Sequence, residues 1–164
     1  MIDKHEAMLN YLFTCPTVLS NPLFFNFGEM KENSNQFITT SNSETYGTEY
    51  VDGSITKFYV FTLLTFKTIS YNAIVKTEGT GTYTYTDENL LELTEFQDVI
   101  DWINEQEDAH NYPDFGENCV VDSIKCMTAN PVVSDVDTSQ EPAIATYSIT
   151  IQVEYLDNSK RLWK

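Results

Sequence analysis

Two histidines, three cysteines and a run of closely spaced carboxylates are the residues of this chain whose types could do chemistry. His5 and His110 are the only histidines, more than a hundred residues apart. A Cys15–His5 or a Cys119–His110 couple would give a nucleophile and a base, but neither cysteine has the flanking pattern of a thiol protease. His5 lies on a short helix and reads as a satisfied or exposed histidine. His110 falls just past a helix C-terminus, where its cationic form complements the helix dipole. Cys15, Cys119 and Cys126 are odd in number and lack paired metal spacing, so they read as reduced thiols partly buried in a core, as suits assembly in a reducing cytoplasm. Asp98 with Asp101, or Asp101 with Glu105, would share one helical face, as a hard cation needs, yet no Asp-x-Asp-x-Asp-Gly loop accompanies them and solvated decoration is the plainer reading. Gly79-Thr80-Gly81 lacks the further glycine and the lysine of a phosphate-binding loop. No catalytic residue, cofactor-binding residue or metal ligand is therefore assigned. The expectation is a binding or structural protein rather than an enzyme.

The elements that would position these groups follow from periodicity. A first helix is expected from about Asp3 to Thr14, with Asp3 as its cap, Pro16 blocking continuation, and Ile2, His5, Leu9, Leu12 and Phe13 on one stripe. A second has a capping box at Thr94 and Gln97, or an earlier start at Asp87. Its apolar stripe is Leu93, Phe96, Val99, Ile100 and Ile103, with Glu95, Asp98, Asp101, Glu105 and Asp108 over much of the rest and Asn111-Tyr112-Pro113 closing it. Thr56 to Ile69 reads as a long strand with Phe58, Val60, Leu64 and Phe66 on one face and Tyr59, Phe61 and Leu63 on the other. Asp52-Gly53 marks a hairpin turn before it. From Ala143 to Tyr155 alternation puts Ala145, Tyr147, Ile149, Ile151, Val153 and Tyr155 toward a core, and Cys119 to Thr128 is a plausible antiparallel neighbour. Leu23 to Phe27 reads as a short strand. Asn130 to Pro142 reads as a projecting loop, and Glu29 to Thr48 and Thr77 to Thr86 as long loops or edge arms. The sum is an α+β fold: a mostly antiparallel sheet with two main helices packed on one face, in a single domain over 1–164.

Charge narrows the function class. Among 164 residues, 9 Lys and Arg face 25 Asp and Glu, a formal charge of −16. Such a surplus repels phosphate, which argues against a sequence-reading nucleic-acid binder. No apolar run reaches the roughly 18–20 residues of a membrane span, and no secretory layout opens the chain, so a soluble protein is expected. The acids are concentrated: the 48 residues between Lys76 and Lys125 hold thirteen of them and no Lys or Arg. Lys160, Arg161 and Lys164, in contrast, put three of the nine cations in the last five positions. A like-charged block is usually a solvated face, and the alternatives are a basic partner or DNA that must pass without sticking.

Taken in order, several segments resemble the small tail terminator proteins of long-tailed bacteriophages of Gram-positive hosts, also labelled minor capsid or tail completion proteins. They are Thr14-Cys15-Pro16, Tyr50-Val51-Asp52-Gly53-Ser54, Lys57-Phe58-Tyr59-Val60-Phe61, Phe96, Asp101-Trp102-Ile103-Asn104-Glu105-Gln106, Asn111-Tyr112-Pro113, Asp137-Thr138, Ala145-Thr146-Tyr147-Ser148-Ile149 and Val153-Glu154-Tyr155. The match spreads over about residues 5–156 and rests on order and spacing. The chain departs from the family pattern in a longer Thr77 to Leu93 stretch and in an extended tail over about 157–164. The resemblance implies a virion protein of the tail and neck, assembled in the host cytoplasm. Such a protein forms a homo-hexameric ring at the head-proximal end of the tail tube, stops tube polymerisation and offers the head-joining surface. Its partners would be copies of itself, the tail tube protein and a head-completion or connector protein. DNA would pass through without sequence-specific binding, and neither a membrane nor a cofactor would be involved. Tyr59, Phe61 and Leu63 are then candidates for the subunit contact, and Glu95, Asp98, Asp101, Glu105 and Asp108 for a channel-facing or partner-facing surface. Two other readings are another head–tail connector of the neck and an acidic monomer that binds a basic host partner.

Overall fold

Period-two alternation builds the centre of the molecule. In a computed structural model, which describes residues 3–19, 21–28, 34–39, 43–69, 75–78, 83–86 and 88–162, the strands β4 (Ile55–Thr68) and β9 (Ile144–Asp157) pair antiparallel along their whole length, from Ile55 opposite Asp157 to Thr68 opposite Ile144. Two shorter strands lie end to end along the other edge of β4: β2 (Ser34–Ile38) and β3 (Glu44–Glu49). β7 (Cys119–Cys126) and β8 (Val132–Asp137) do the same along β9. β1 (Leu23–Phe25) adds to β2 in parallel, giving a seven-stranded, mostly antiparallel sheet. β5 (Val75–Glu78) and β6 (Tyr83–Thr86) form a separate two-stranded sheet. The helices are α1 (Lys4–Leu12), α2 (Pro16–Leu19) and α3 (Glu88–Asp108).

The odd-numbered residues of β4 and β9 face the helices. Tyr59, Phe61, Leu63, Tyr147, Ile149, Ile151, Val153 and Tyr155 make one core with Met8, Tyr11 and Leu12 of α1 and Phe96, Val99, Ile100 and Ile103 of α3. Phe37 of β2 stacks on Phe61 with ring centroids 4.3 Å apart. Full burial of side chains of this size stabilises by about 1.5–3 kcal/mol each, which makes this face the main source of stability. The expected α+β architecture, the β9 alternation and the β7–β9 pairing are all present.

The structure corrects several expectations. Tyr59, Phe61 and Leu63 are almost completely buried inside the domain, so they are not a subunit surface. The face of β4 left partly open carries Phe58, Val60 and Leu64, while Phe66 on the same face is buried. Two apolar faces made either choice possible from sequence, and the helix stripes decide it by packing on the odd residues. On α1 the buried set is Met8, Tyr11 and Leu12, an i, i+3, i+4 set, whereas Phe13 is exposed and Ile2 lies outside the described residues. Pro16 does not merely stop α1: it opens α2 at the first helical position, where its missing N–H costs nothing. Thr94 lies well inside α3, so the earlier start is the one adopted.

The expected loop at 130–142 contains β8, and the expected arm at 29–48 contains β2 and all but the last residue of β3. Ser34, Asn35 and Gln36 are buried polar residues, which hid β2 from a hydrophobic pattern. The arm at 77–86 contains parts of the β5–β6 hairpin, and Gly79-Thr80-Gly81 lies outside the described residues.

The Asp-Gly turn forms as expected. Gly53 has φ +83°, a conformation that disfavours any side chain, and a Cβ there would sit 2.5 Å from the carbonyl oxygen of Lys160. Asp52 accepts hydrogen bonds from the Ser54 N–H and hydroxyl, which hold its carboxyl below the usual range. The stretch beyond Asp157 is not a loose extension through residue 162. Leu162 donates its N–H to the Asp52 carbonyl at 2.7 Å, and the Arg161 guanidinium lies 2.9 Å from the Asp52 carboxylate.

Candidate functional site

The acidic helix α3 is positioned on the sheet by four apolar residues and two polar contacts. At about 100° per residue, Phe96, Val99, Ile100 and Ile103 form the stripe buried on the sheet. Asp98, Asp101, Glu105 and Asp108 then fall within about 80° of one another, opposite that stripe, and all four are exposed. Gln97 donates to Asp101 at 3.2 Å. The structure therefore brings these four candidate acids into one outward-facing column along the helix.

Glu95 departs from this set. It lies on the helix flank, and its carboxylate takes Lys67 of β4 at 2.7 Å, with the lysine side chain only 5% exposed. Its first task is to hold the sheet to the helix. Glu107, which the sequence did not single out, turns toward the sheet and accepts the Ile124 N–H at 2.7 Å. The bulge between Val121 and Ser123 disturbs the β7–β9 ladder just before this residue. The signal for Glu107 was present: its helical phase falls on the buried side.

The helix ends with a Schellman arrangement. The His110 N–H donates to Glu107 O at 3.1 Å and the Asn111 N–H to Gln106 O at 3.0 Å, with His110 at φ 51°. The His110 ring pairs with the Tyr112 hydroxyl at 3.0 Å, so its role is in the helix end. His5 pairs with the Tyr59 hydroxyl and packs against Phe25. All three cysteines are free thiols, and burial pushes each thiol pKa up, away from the thiolate a nucleophile needs. The geometry makes neither of the two cysteine–histidine couples. Among the described residues, no three His, Cys, Asp or Glu side chains converge as a metal site.

A second polar group gathers where β3, β4 and β9 meet. Lys57 donates to Asp157 at 2.7 Å and lies 3.4 Å from Glu44, which accepts the Tyr155 hydroxyl at 2.8 Å. Lys4 stands 3.9 Å from the same glutamate. Burial alone would raise the Asp157 pKa, but hydrogen bonds from Lys57 and Ser159 outweigh it and bring the group down to about 2. Asp157 and Glu44 in turn hold Lys57 protonated above its usual range against the opposing effect of burial. This closed network ties three strands together.

No protein-family model, curated protein or solved structure matches the chain. The site thus stands on its own geometry: an outward column of four acids on a firmly seated helix, and a sheet whose far face carries partly exposed Phe58, Val60 and Leu64.

Proposed function

We propose that the chain is a structural virion protein, a tail terminator that forms a ring at the head-proximal end of a phage tail tube. It ends tube polymerisation and provides the surface to which the head joins, and no catalytic step is part of this role. The observation that supports it best is where the segments of the resemblance fall. Tyr50 to Ser54 forms the β3–β4 turn, Asp101 to Gln106 and Asn111 to Pro113 form the last turns and cap of α3, and Ala145 to Ile149 with Val153 to Tyr155 lie in the central strand. These positions are the turn, the helix end and the central strand that frame the α+β domain, so the quoted segments belong to its scaffold rather than to scattered surface loops.

Subunit contacts in this reading use the open sheet face at Phe58, Val60 and Leu64. Association would complete the burial of these side chains. Asp98, Asp101, Glu105 and Asp108 would face the channel, where like charge lets DNA slide without adsorbing. Native mass spectrometry and negative-stain imaging with purified tail tubes test the role. A ring of about six copies, free or seated on the tube end, is expected. A stable monomer that never caps tubes overturns it.

A further inference from the structure

The chain carries a projecting apolar and cationic tip and, elsewhere, an acidic groove of matching chemistry. The tip is the Tyr50–Ser54 turn joined to residues 158–162. Val51 is 94% exposed, Leu162 69% and Tyr50 48%. These side chains are not loose, because the Leu162–Asp52 hydrogen bond, the Arg161–Asp52 ion pair and the close Gly53–Lys160 contact hold the two segments together. Arg161 is balanced by Asp52 within the tip, and exposed Lys160 leaves a net positive charge beside this apolar surface in a molecule of charge −16.

The groove lies between the first turns of α1 and the segment after α3. Asp3, Glu6 and Ala7 form one wall and Tyr112, Pro113 and Asp114 the other, around a volume of about 570 Å³. Among the described residues, no lysine or arginine lines it. Its walls are fixed: the Tyr11 hydroxyl donates to Asn111 O at 2.8 Å, Asp114 accepts the Gly116 N–H at 2.9 Å, and Tyr112 is held by His110.

We infer that the tip of one copy docks in the groove of a second copy, with Val51 and Leu162 against Ala7, Tyr112 and Pro113 and Lys160 beside Glu6. Charge complementarity selects this occupant, since the chain is otherwise strongly acidic and this tip is one of its few cationic surfaces. The contacts that pin the tip to its own sheet end keep it from swinging into its own groove. The contact is heterologous, tip to groove, the kind that closes rings. It deepens the ring reading and rests on it for the number of copies that close.

Sedimentation velocity of the full chain at low and high salt, with far-UV circular dichroism to verify folding, tests the contact. The wild type self-associates at low salt and less so at high salt. A tip variant, Lys160→Glu with Val51→Glu, and a groove variant, Glu6→Lys with Asn10→Lys, the latter residue also lining the groove, each weaken association roughly tenfold or more. Mixing the two variants in equal amounts restores it, because each then meets a complementary partner. Association untouched by either variant, or lost in both without recovery on mixing, overturns the contact and leaves the ring reading standing if wild-type rings still cap tubes. A wild type that stays monomeric with and without tubes overturns both.

Discussion

Lys57 stands at an inward-facing position of a core strand, and its partners explain how a charge persists there. Its odd-numbered phase is that of Tyr59, Phe61 and Leu63, so it must enter the sheet–helix interface with its charge compensated. Asp157 and Glu44 supply that compensation. Lys67, at the opposite end of β4, repeats the pattern with Glu95. The acid side of the Lys57 network gives a signed prediction. The folded Asp157 carboxyl titrates at about 2 against 3.8 unperturbed. A group lowered on folding contributes stability that is present above its unfolded pKa and lost as pH falls through the folded value. The stability difference between wild type and Asp157→Asn should therefore narrow by about 2 kcal/mol as pH falls from about 5 to about 2, measured by urea unfolding. A constant difference across that range would mean that the Lys57–Asp157 pair does not set the shift. The lysine acts in the other direction: raised on folding, it contributes below its unfolded pKa and is lost as pH rises through its folded value.

At the scale of elements, α3 shows how packing and polar anchoring divide the work. The apolar stripe seats the helix and Glu107 fixes its last turns to β7. Glu107→Ala should destabilise the domain by about 1–2 kcal/mol, since the Ile124 N–H loses a charged acceptor at a half-buried site. Hydrogen exchange at the Ile124 amide should quicken selectively. Unchanged protection there would show that β7 holds its geometry without the helix. The elements legible in the sequence are those whose burial is one-sided and apolar: the α3 stripe, the β9 alternation and the Asp-Gly turn. β2 escaped notice because it buries Ser34, Asn35 and Gln36 beside a single core residue, Phe37. β8 escaped because it is a bulged outer strand with exposed Val133 and Val136 among prolines and acids, so polarity read as loop. The choice of face on β4 needed tertiary information, since both faces are apolar and only the docking of α1 and α3 separates them. The candidate acids were legible as a helical face, but the diversion of Glu95 to Lys67 depends on the sheet–helix distance, which the helix's own sequence does not contain.

At the scale of the molecule, the outward column of α3 is arranged against the stability of its own helix. Asp98 with Asp101, Asp101 with Glu105, and Glu105 with Asp108 are like-charged neighbours at i, i+3 or i, i+4, each pair costing about 0.2–0.5 kcal/mol. No basic residue occupies the last turn, where negative charge also opposes the helix dipole. Replacing the four by Asp98→Asn, Asp101→Asn, Glu105→Gln and Asp108→Asn should therefore stabilise the domain by about 1 kcal/mol at low salt, with the gain shrinking as salt screens it. Thermal unfolding at two salt concentrations measures this. A fold that improves when its charge column is removed separates stability from function. If the column lines a channel, rings of the neutral variant should still form and cap tubes while DNA passage slows, because the repulsion that kept the polyanion off the wall has gone. Unimpeded DNA passage accompanied by lost capping would instead place the column on the surface that meets the tube, and the same four residues would then be read as a docking face for a basic partner.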